Sequence, residues 1–348
     1  MADEMNNITA FTIGVAASFF AIFSINILFW RKNQSRFQTV LGCIMAVWCL
    51  WMLKDMVLTY PGMYREEVLD WILIIDGWSA LTYMVLICEV VMPGWLTWGK
   101  LMLSAIPFAA FTMAYSLWQH PMVIYAYVGF LWCFSWTIVI VGYVKMKKTL
   151  AYLYDNYSNT DRIDVSWLRS VFFFCIVGQL LWLAVSFWAS PVADTAYYVV
   201  AMALWLLVLY KCWDFRPVRI AADPLGQEVA KNKKATALPE GVLEQVVEEN
   251  RLYLNKMLTV ADLAKALGTN RTYVSSYLSQ QVGLTFYDYI NKLRIERVSI
   301  PLIKEHPEFT FEYVAKESGF ASISTFRRAF LKITGQTPSQ FAATMETN

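Results

Sequence analysis

Five side chains near the C-terminus fall at a spacing that can do chemistry on a polyanion. Ser324, Arg328 and Lys332 recur at i, i+4 and i+8, with Arg327 beside them and Ser322 just before. Hydroxyl, guanidinium and ammonium donors therefore share one helix face. The opposite face repeats Phe326, Phe330 and Ile333, which must be buried. A second group lies upstream. Asn270, Arg271, Thr272, Ser275, Ser276 and Ser279 face one way, and Tyr273, Val274, Tyr277 and Leu278 the other. Guanidinium forks and short hydroxyls reach phosphate oxygens and base edges in a duplex groove. The plain alternative for each group is an amphipathic helix whose charges are merely solvated.

No other constellation competes. His120 and His306 are the only histidines, and neither joins a nucleophile–base or metal-ligand pattern. HExxH, P-loop and GxSxG patterns are missing. The six cysteines follow no metal spacing and read as reduced packing residues. The expectation is no catalytic residue, no metal and no cofactor, in a chain that is not an enzyme.

These side chains need helices to hold them. The downstream group needs a helix from about Ser324 to Ile333, capped by Ser322 or Ser324, entered through a turn at Gly319 and closed by Gly335 and Pro338. Upstream, Thr259 caps a helix carrying Val260, Leu263, Ala264 and Leu267. Gly268 makes a turn, and Thr269 or Asn270 caps the next helix. A charged amphipathic helix, Leu243–Asn255, precedes both.

With these pieces in order, residues 241–344 resemble the DNA-binding domain of the AraC/XylS family of bacterial transcription regulators. The resemblance rests on Leu258-Thr-Val-Ala-Asp-Leu-Ala264, Asn270-Arg-Thr-Tyr-Val274, Gly283-Leu-Thr-Phe286 and Tyr289-Ile-Asn-Lys-Leu-Arg294. It continues through Gly319-Phe320, Ser322, Phe326-Arg-Arg-Ala-Phe330 and Thr334-Gly-Gln-Thr-Pro338. It implies two helix-turn-helix subdomains joined by a long helix, about Phe286–Ile303. Their recognition helices, about Asn270–Gln280 and Ser322–Ile333, would enter successive major grooves on one DNA face. Pro301 departs from the pattern and should kink or stop the joining helix. Val298 and Ile323 also depart, standing where a small Ala and a polar residue are usual. From Pro239 to Asn348 there are 12 Lys/Arg and 12 Asp/Glu. Affinity must therefore come from local placement of Arg271, Arg294, Arg327, Arg328 and Lys332, and from dimerisation.

The rest of the chain is of another kind. Overall, 57% of residues are hydrophobic and only 16% charged, and the charge is concentrated after about Trp213. Seven apolar runs are predicted to span a bilayer: about Ile8–Trp30, Phe37–Leu53, Leu69–Met92, Leu101–Ser116, Met122–Val144, Trp167–Trp188 and Thr195–Tyr210. At about 1.5 Å rise per residue the first reaches roughly 34 Å. Its acidic leader and its length argue against a cleavable signal peptide. Pro107 should kink the fourth run.

Basic residues fall in alternate loops (Arg31, Lys32, Arg36; Lys100; Lys145, Lys147, Lys148, Arg162; Lys211, Arg216, Arg219). By the positive-inside rule the N-terminus is then outside and the C-terminus in the cytoplasm of a bacterial inner membrane. The expected fold is all-α, with residues 1–213 a seven-span bundle and 214–239 a cytoplasmic linker. Residues 240–348 form an all-α domain with two helix-turn-helix motifs.

Ionisable groups inside spans are costly and mark candidate sites. Asp76 and Gln179, with Trp78 and Trp182, are the candidate ligand-binding residues, and deeper tryptophans such as Trp48 and Trp205 can line an aromatic cavity. Helix–helix packing is the competing explanation of the aromatics. The sum is a membrane-embedded regulator that binds double-stranded DNA, as a homodimer and with RNA polymerase as a possible partner. The bundle would sense a small ligand or a membrane partner protein. Two alternatives are a ligand-independent tether of DNA to the bilayer and a receptor governed by a membrane protein.

Overall fold

The computed structural model describes residues 2–30, 35–60, 62–63, 65–161, 163–187, 190–213, 215 and 241–346. The predicted linker, 214–239, lies almost wholly outside them. The described residues are helical, apart from turns and one isolated antiparallel bridge between Tyr157 and Thr259. The chain divides into two compact units. One is 1–147 with 165–219, and the other is 148–164 with 220–348.

The first unit contains α1 (Ala2–Ile25), α2 (Arg36–Lys54), α3 (Glu66–Gly77), α4 (Ala80–Val91) and α5 (Trp98–Trp118). It also holds most of α6 (Pro121–Asn156), then α7 (Leu168–Phe187) and α8 (Pro191–Cys212). Among the described residues, six helical segments are long and apolar enough to cross a membrane, α3 and α4 together making one. α7 supplies a shorter apolar stretch, Leu168–Trp182, so a seventh crossing is not established by length. Phe11, Leu103 and Tyr125 are exposed large side chains on these helices, a surface compatible with lipid as the solvent.

One expectation on these helices changes. The third run is one apolar stretch but not one helix, because α3 ends at Gly77 and α4 starts at Ala80. Tyr127 supplies the reason. Its hydroxyl donates to the Ile74 carbonyl at 3.0 Å, and a Cβ on Gly77 would lie 2.3 Å from that oxygen. A side chain inserted into the i→i−4 ladder breaks a helix there, and only glycine leaves room for it. Pro107 sits inside α5, which runs on uninterrupted past it. At the other end of the bundle, Arg36 Nε pairs with Glu89 Oε1 at 3.1 Å and its Nη2 donates to the Leu96 carbonyl at 3.3 Å.

The second unit has α9 (Val242–Glu249), α10 (Val260–Ala266), α11 (Arg271–Tyr277), α12 (Phe286–Arg294), α13 (Ile300–Glu305), α14 (Phe311–Glu317), α15 (Ile323–Thr334) and α16 (Pro338–Glu346). α9 ends at Glu249, earlier than the sequence suggested; a turn with Arg251 at φ 47° and a short 3₁₀ segment, Leu252–Leu254, follow. The joining helix does not stop at Pro301. A π-turn, Ile295–Ser299, leads from α12 into α13, which runs to Glu305. The wider turn absorbs the hydrogen bond that proline cannot make.

Two apolar cores flank this joint. One holds Leu243, Val247, Leu263, Val274, Phe286 and Ile290. The other holds Ile295, Ile303, Val314, Phe320, Phe326 and Phe330. Each core carries a helix pair, α10–α11 and α14–α15, connected through a glycine of positive φ, Gly268 (64°) and Gly319 (83°).

Candidate nucleic-acid interface and a cavity among the apolar helices

α15 is formed by local signals. Ser322 caps it, its side chain accepting from the Thr325 amide at 3.3 Å, and Gly335 closes it at φ 75°. Thr325, Phe326, Ala329 and Phe330 face the core. Ser324, Arg327, Arg328 and Lys332 are exposed and Ser322 is half-buried, so the five downstream residues gather on one side. Lys332 Nζ pairs with Asp288 Oδ1 of α12 at 2.7 Å. Arg328 Nη2 donates to Thr325 Oγ1 at 3.3 Å.

The turn before α15 depends on Gly319. Its φ of +83° disfavours any side chain, and a Cβ there would lie 2.8 Å from the backbone oxygens of Tyr253 and Leu254. Gly319→Ala should lower the stability of this unit by at least about 2 kcal/mol. A thermal melt of the purified variant reads that loss directly.

On α11, Asn270 is the cap, its Oδ1 accepting from the Tyr273 amide at 2.8 Å. Thr272 and Ser279 are exposed, and Arg271, Ser275 and Ser276 are half-buried. Ser279 Oγ donates to the Ser276 carbonyl at 3.2 Å. The α-helix proper ends at Tyr277, and a π-turn, Leu278–Val282, contains Ser279.

Arg294 must be struck from the DNA-facing set. It is 1% exposed. Its Nε donates to the Tyr253 carbonyl at 2.7 Å. Nη1 donates to the Ser158 carbonyl at 3.2 Å and to Asn291 Oδ1 at 3.0 Å. Nη2 donates to the Asn255 carbonyl at 2.8 Å and to Ser158 Oγ at 3.3 Å. The ring of Phe320 lies 5.4 Å from the guanidinium carbon. Burial pulls its pKa down to about 10, yet it remains charged at neutral pH. Here a cation organises backbone carbonyls, and sequence reasoning missed its partner Ser158 because a short polar segment between apolar runs carries no periodic signal.

In the first unit, a cavity of ≈ 240 Å³ is lined by Asp76, Gln179 and Trp182, by Trp48 and Trp205, and by Tyr83. Tyr83 stacks on Trp205 with centroids 5.7 Å apart, and Trp48 meets Trp205 edge-on at 5.3 Å. Lys54 Nζ lies 2.8 Å from Asp76 Oδ1 and also bonds Asp55. Gln179 Nε2 reaches the Leu131 carbonyl at 3.5 Å. Trp78 is elsewhere: it donates to Thr112 Oγ1 at 3.1 Å and packs against Phe108. Tyr83, Tyr197 and Tyr198 were missed, since tyrosine in an apolar run reads equally well as packing or interface anchoring.

Comparison with known proteins agrees with the C-terminal geometry. A family model described as a helix-turn-helix domain matches residues 263–344. An uncharacterized HTH-type transcriptional regulator of Staphylococcus aureus (strain COL) is 27% identical over 104 residues, 30% of this chain and 14% of that protein. The Msm operon regulatory protein of Streptococcus mutans is 26% identical over 121 residues, 32% of this chain and 43% of its own length. The matched region thus spans about one seventh of the length of the first of these curated relatives. No solved structure matches. The chain ends in an AraC-type helix-turn-helix domain, preceded by apolar helices compatible with a membrane domain.

Proposed function

We propose that this chain is a membrane-embedded, one-component transcription regulator. It binds promoter DNA through α11 and α15, the second helices of two helix-turn-helix pairs, while its apolar bundle responds to a stimulus. The observation that carries this reading is the union, in one chain, of six span-length apolar helical segments among the described residues and an AraC-type helix-turn-helix domain. α7 would complete seven crossings, with the N-terminus outside and the DNA-binding unit in the cytoplasm, in keeping with the loop charges. The names of the matched regulators support the DNA-binding half.

On this reading Ser322, Ser324, Arg327, Arg328 and Lys332 meet one groove, and Asn270, Arg271, Thr272, Ser275, Ser276 and Ser279 the other. Dimerisation would supply the second half-site. The cavity at Asp76, Gln179 and Trp182 would hold an amphipathic ligand. Its carboxylates and indole faces favour one with a cationic head.

The test uses full-length protein in lipid nanodiscs, mixed with fragmented genomic DNA. Enrichment of a few fragments, with affinity falling steeply as salt rises, is expected. Arg328→Ala should then weaken binding to an enriched fragment by about 1–3 kcal/mol, roughly ten- to a hundred-fold. Uniform recovery of all fragments would refute the reading. Occupancy that ignores every added small molecule and tolerates Asp76→Asn and Gln179→Ala would leave a simple tether. A reporter fused after Asn348 must read as cytoplasmic.

A further inference from the structure

Residues 157–161 lie in the chain between α6 and α7, two apolar helices, yet they belong to the DNA-binding unit. The segment touches both helix pairs. Tyr157 bridges Thr259, the cap of α10. The Ser158 amide and hydroxyl both donate to the Leu258 carbonyl, at 3.1 and 2.8 Å. Ser158 is wholly buried, accepts twice from Arg294, and is followed by buried Thr160. At the far end, Asp161 reaches α15: the Thr325 hydroxyl donates to Asp161 Oδ1, and Arg328 Nη2 lies 3.9 Å from the same oxygen.

From this geometry we propose that residues 157–161 form an internal clamp that competes with DNA for α15. The proposal rests on the DNA-binding reading above. The N-terminal part of a recognition helix is what enters the groove. That end of a helix also attracts anions, by its unpaired amides and its dipole. In this structure the anion is a carboxylate of the chain itself. It sits on the first turns of α15, bonded to Thr325 and next to Arg328. A DNA phosphate drawing on the Arg328 guanidinium competes with Asp161 Oδ1, 3.9 Å from its Nη2.

The clamp is anchored independently of that carboxylate, through Ser158 and Arg294. Release of Asp161 therefore need not dismantle the unit. The anchor also ties α10, through Leu258 and Thr259, to the joint at Arg294, so the same five residues bear on both helix pairs. The segment follows α6 directly and is joined to α7 through residues 162–167, which gives any rearrangement of those helices a covalent route to α15.

Binding of full-length protein in nanodiscs to an enriched DNA fragment tests the clamp. Asp161→Ala and Asp161→Asn are compared with the native chain. Both should bind roughly ten-fold more tightly, the scale of an exposed ion pair plus a helix-terminus charge. Amide exchange of residues 157–161 should also rise when DNA is added to the native protein. Equal affinity for native and both variants, with unchanged exchange in the segment, would overturn the clamp and leave DNA binding intact. If neither the native chain nor the variants select any fragment, the DNA-binding reading falls and takes the clamp with it. A melting midpoint matching the native one shows that each variant has folded.

Discussion

Arg294→Ala should cost the DNA-binding unit more than any surface change, about 3–5 kcal/mol. The guanidinium makes five hydrogen bonds, three of them to the carbonyls of Tyr253, Asn255 and Ser158. Truncation leaves those carbonyls buried with fewer donors and opens a void beside Phe320. The loss should appear as a melting midpoint lowered by 10 °C or more, on the order expected for a domain of this size. Limited proteolysis should open the unit near Tyr253–Asn255. Arg294→Lys should recover only part of the stability, because one ammonium cannot span acceptors that a planar fork joins. An Arg294→Ala protein as stable as the native one would mean that the network contributes nothing.

The second large effect is expected at Lys54. It stands against Asp55 and Asp76, at the end of α2 and within α3. Asp55 is 3% exposed. Lys54→Met would leave two facing carboxylates without their cation, a change worth about 3–5 kcal/mol where charges are screened from water. Reduced yield of folded protein and a lower midpoint in detergent are the readouts. The informative control is Lys54→Met with Asp55→Asn and Asp76→Asn, which removes the stranded charges and should recover most of the loss. If the triple variant is as unstable as the single one, the lysine acts by packing its stem rather than by charge.

Local signals made much of the second unit legible from sequence. α15 begins one residue before the predicted start and ends one after its predicted end, because a serine cap, an i, i+4, i+7 apolar face and a closing glycine all act within a few residues. Gly319 was readable as a turn, but not as the point where the chain passes against Tyr253 and Leu254, since that contact joins distant segments. The same holds for Arg294. On a helix surface pattern it looks like one more DNA-facing cation, and only the fold shows that α12 turns it inward. At Pro301 the expected irregularity takes a form the sequence does not specify: a π-turn from Ile295 carries the chain from α12 into α13.

In the apolar half, hydropathy located the apolar runs but not the break after Gly77, which is made by Tyr127 from another helix. It singled out Asp76 as a costly charge that would need a partner and did not say which. A lysine at a helix end ordinarily snorkels to water, so the sequence around Lys54 carries no sign of its pairing with Asp76.

The DNA-binding unit is discontinuous in the chain, built from 148–164 and residues after 220. This sets an order of events during translation. The Ser158 segment leaves the ribosome well before Arg294, and α7 and α8 are synthesised in between. At about 5–20 residues per second it waits roughly 7 to 27 seconds for its binding site to exist. The second unit cannot be completed until the apolar helices of the first have been made, so a chain stalled or clipped before Arg294 carries the Ser158 segment without the guanidinium that holds it.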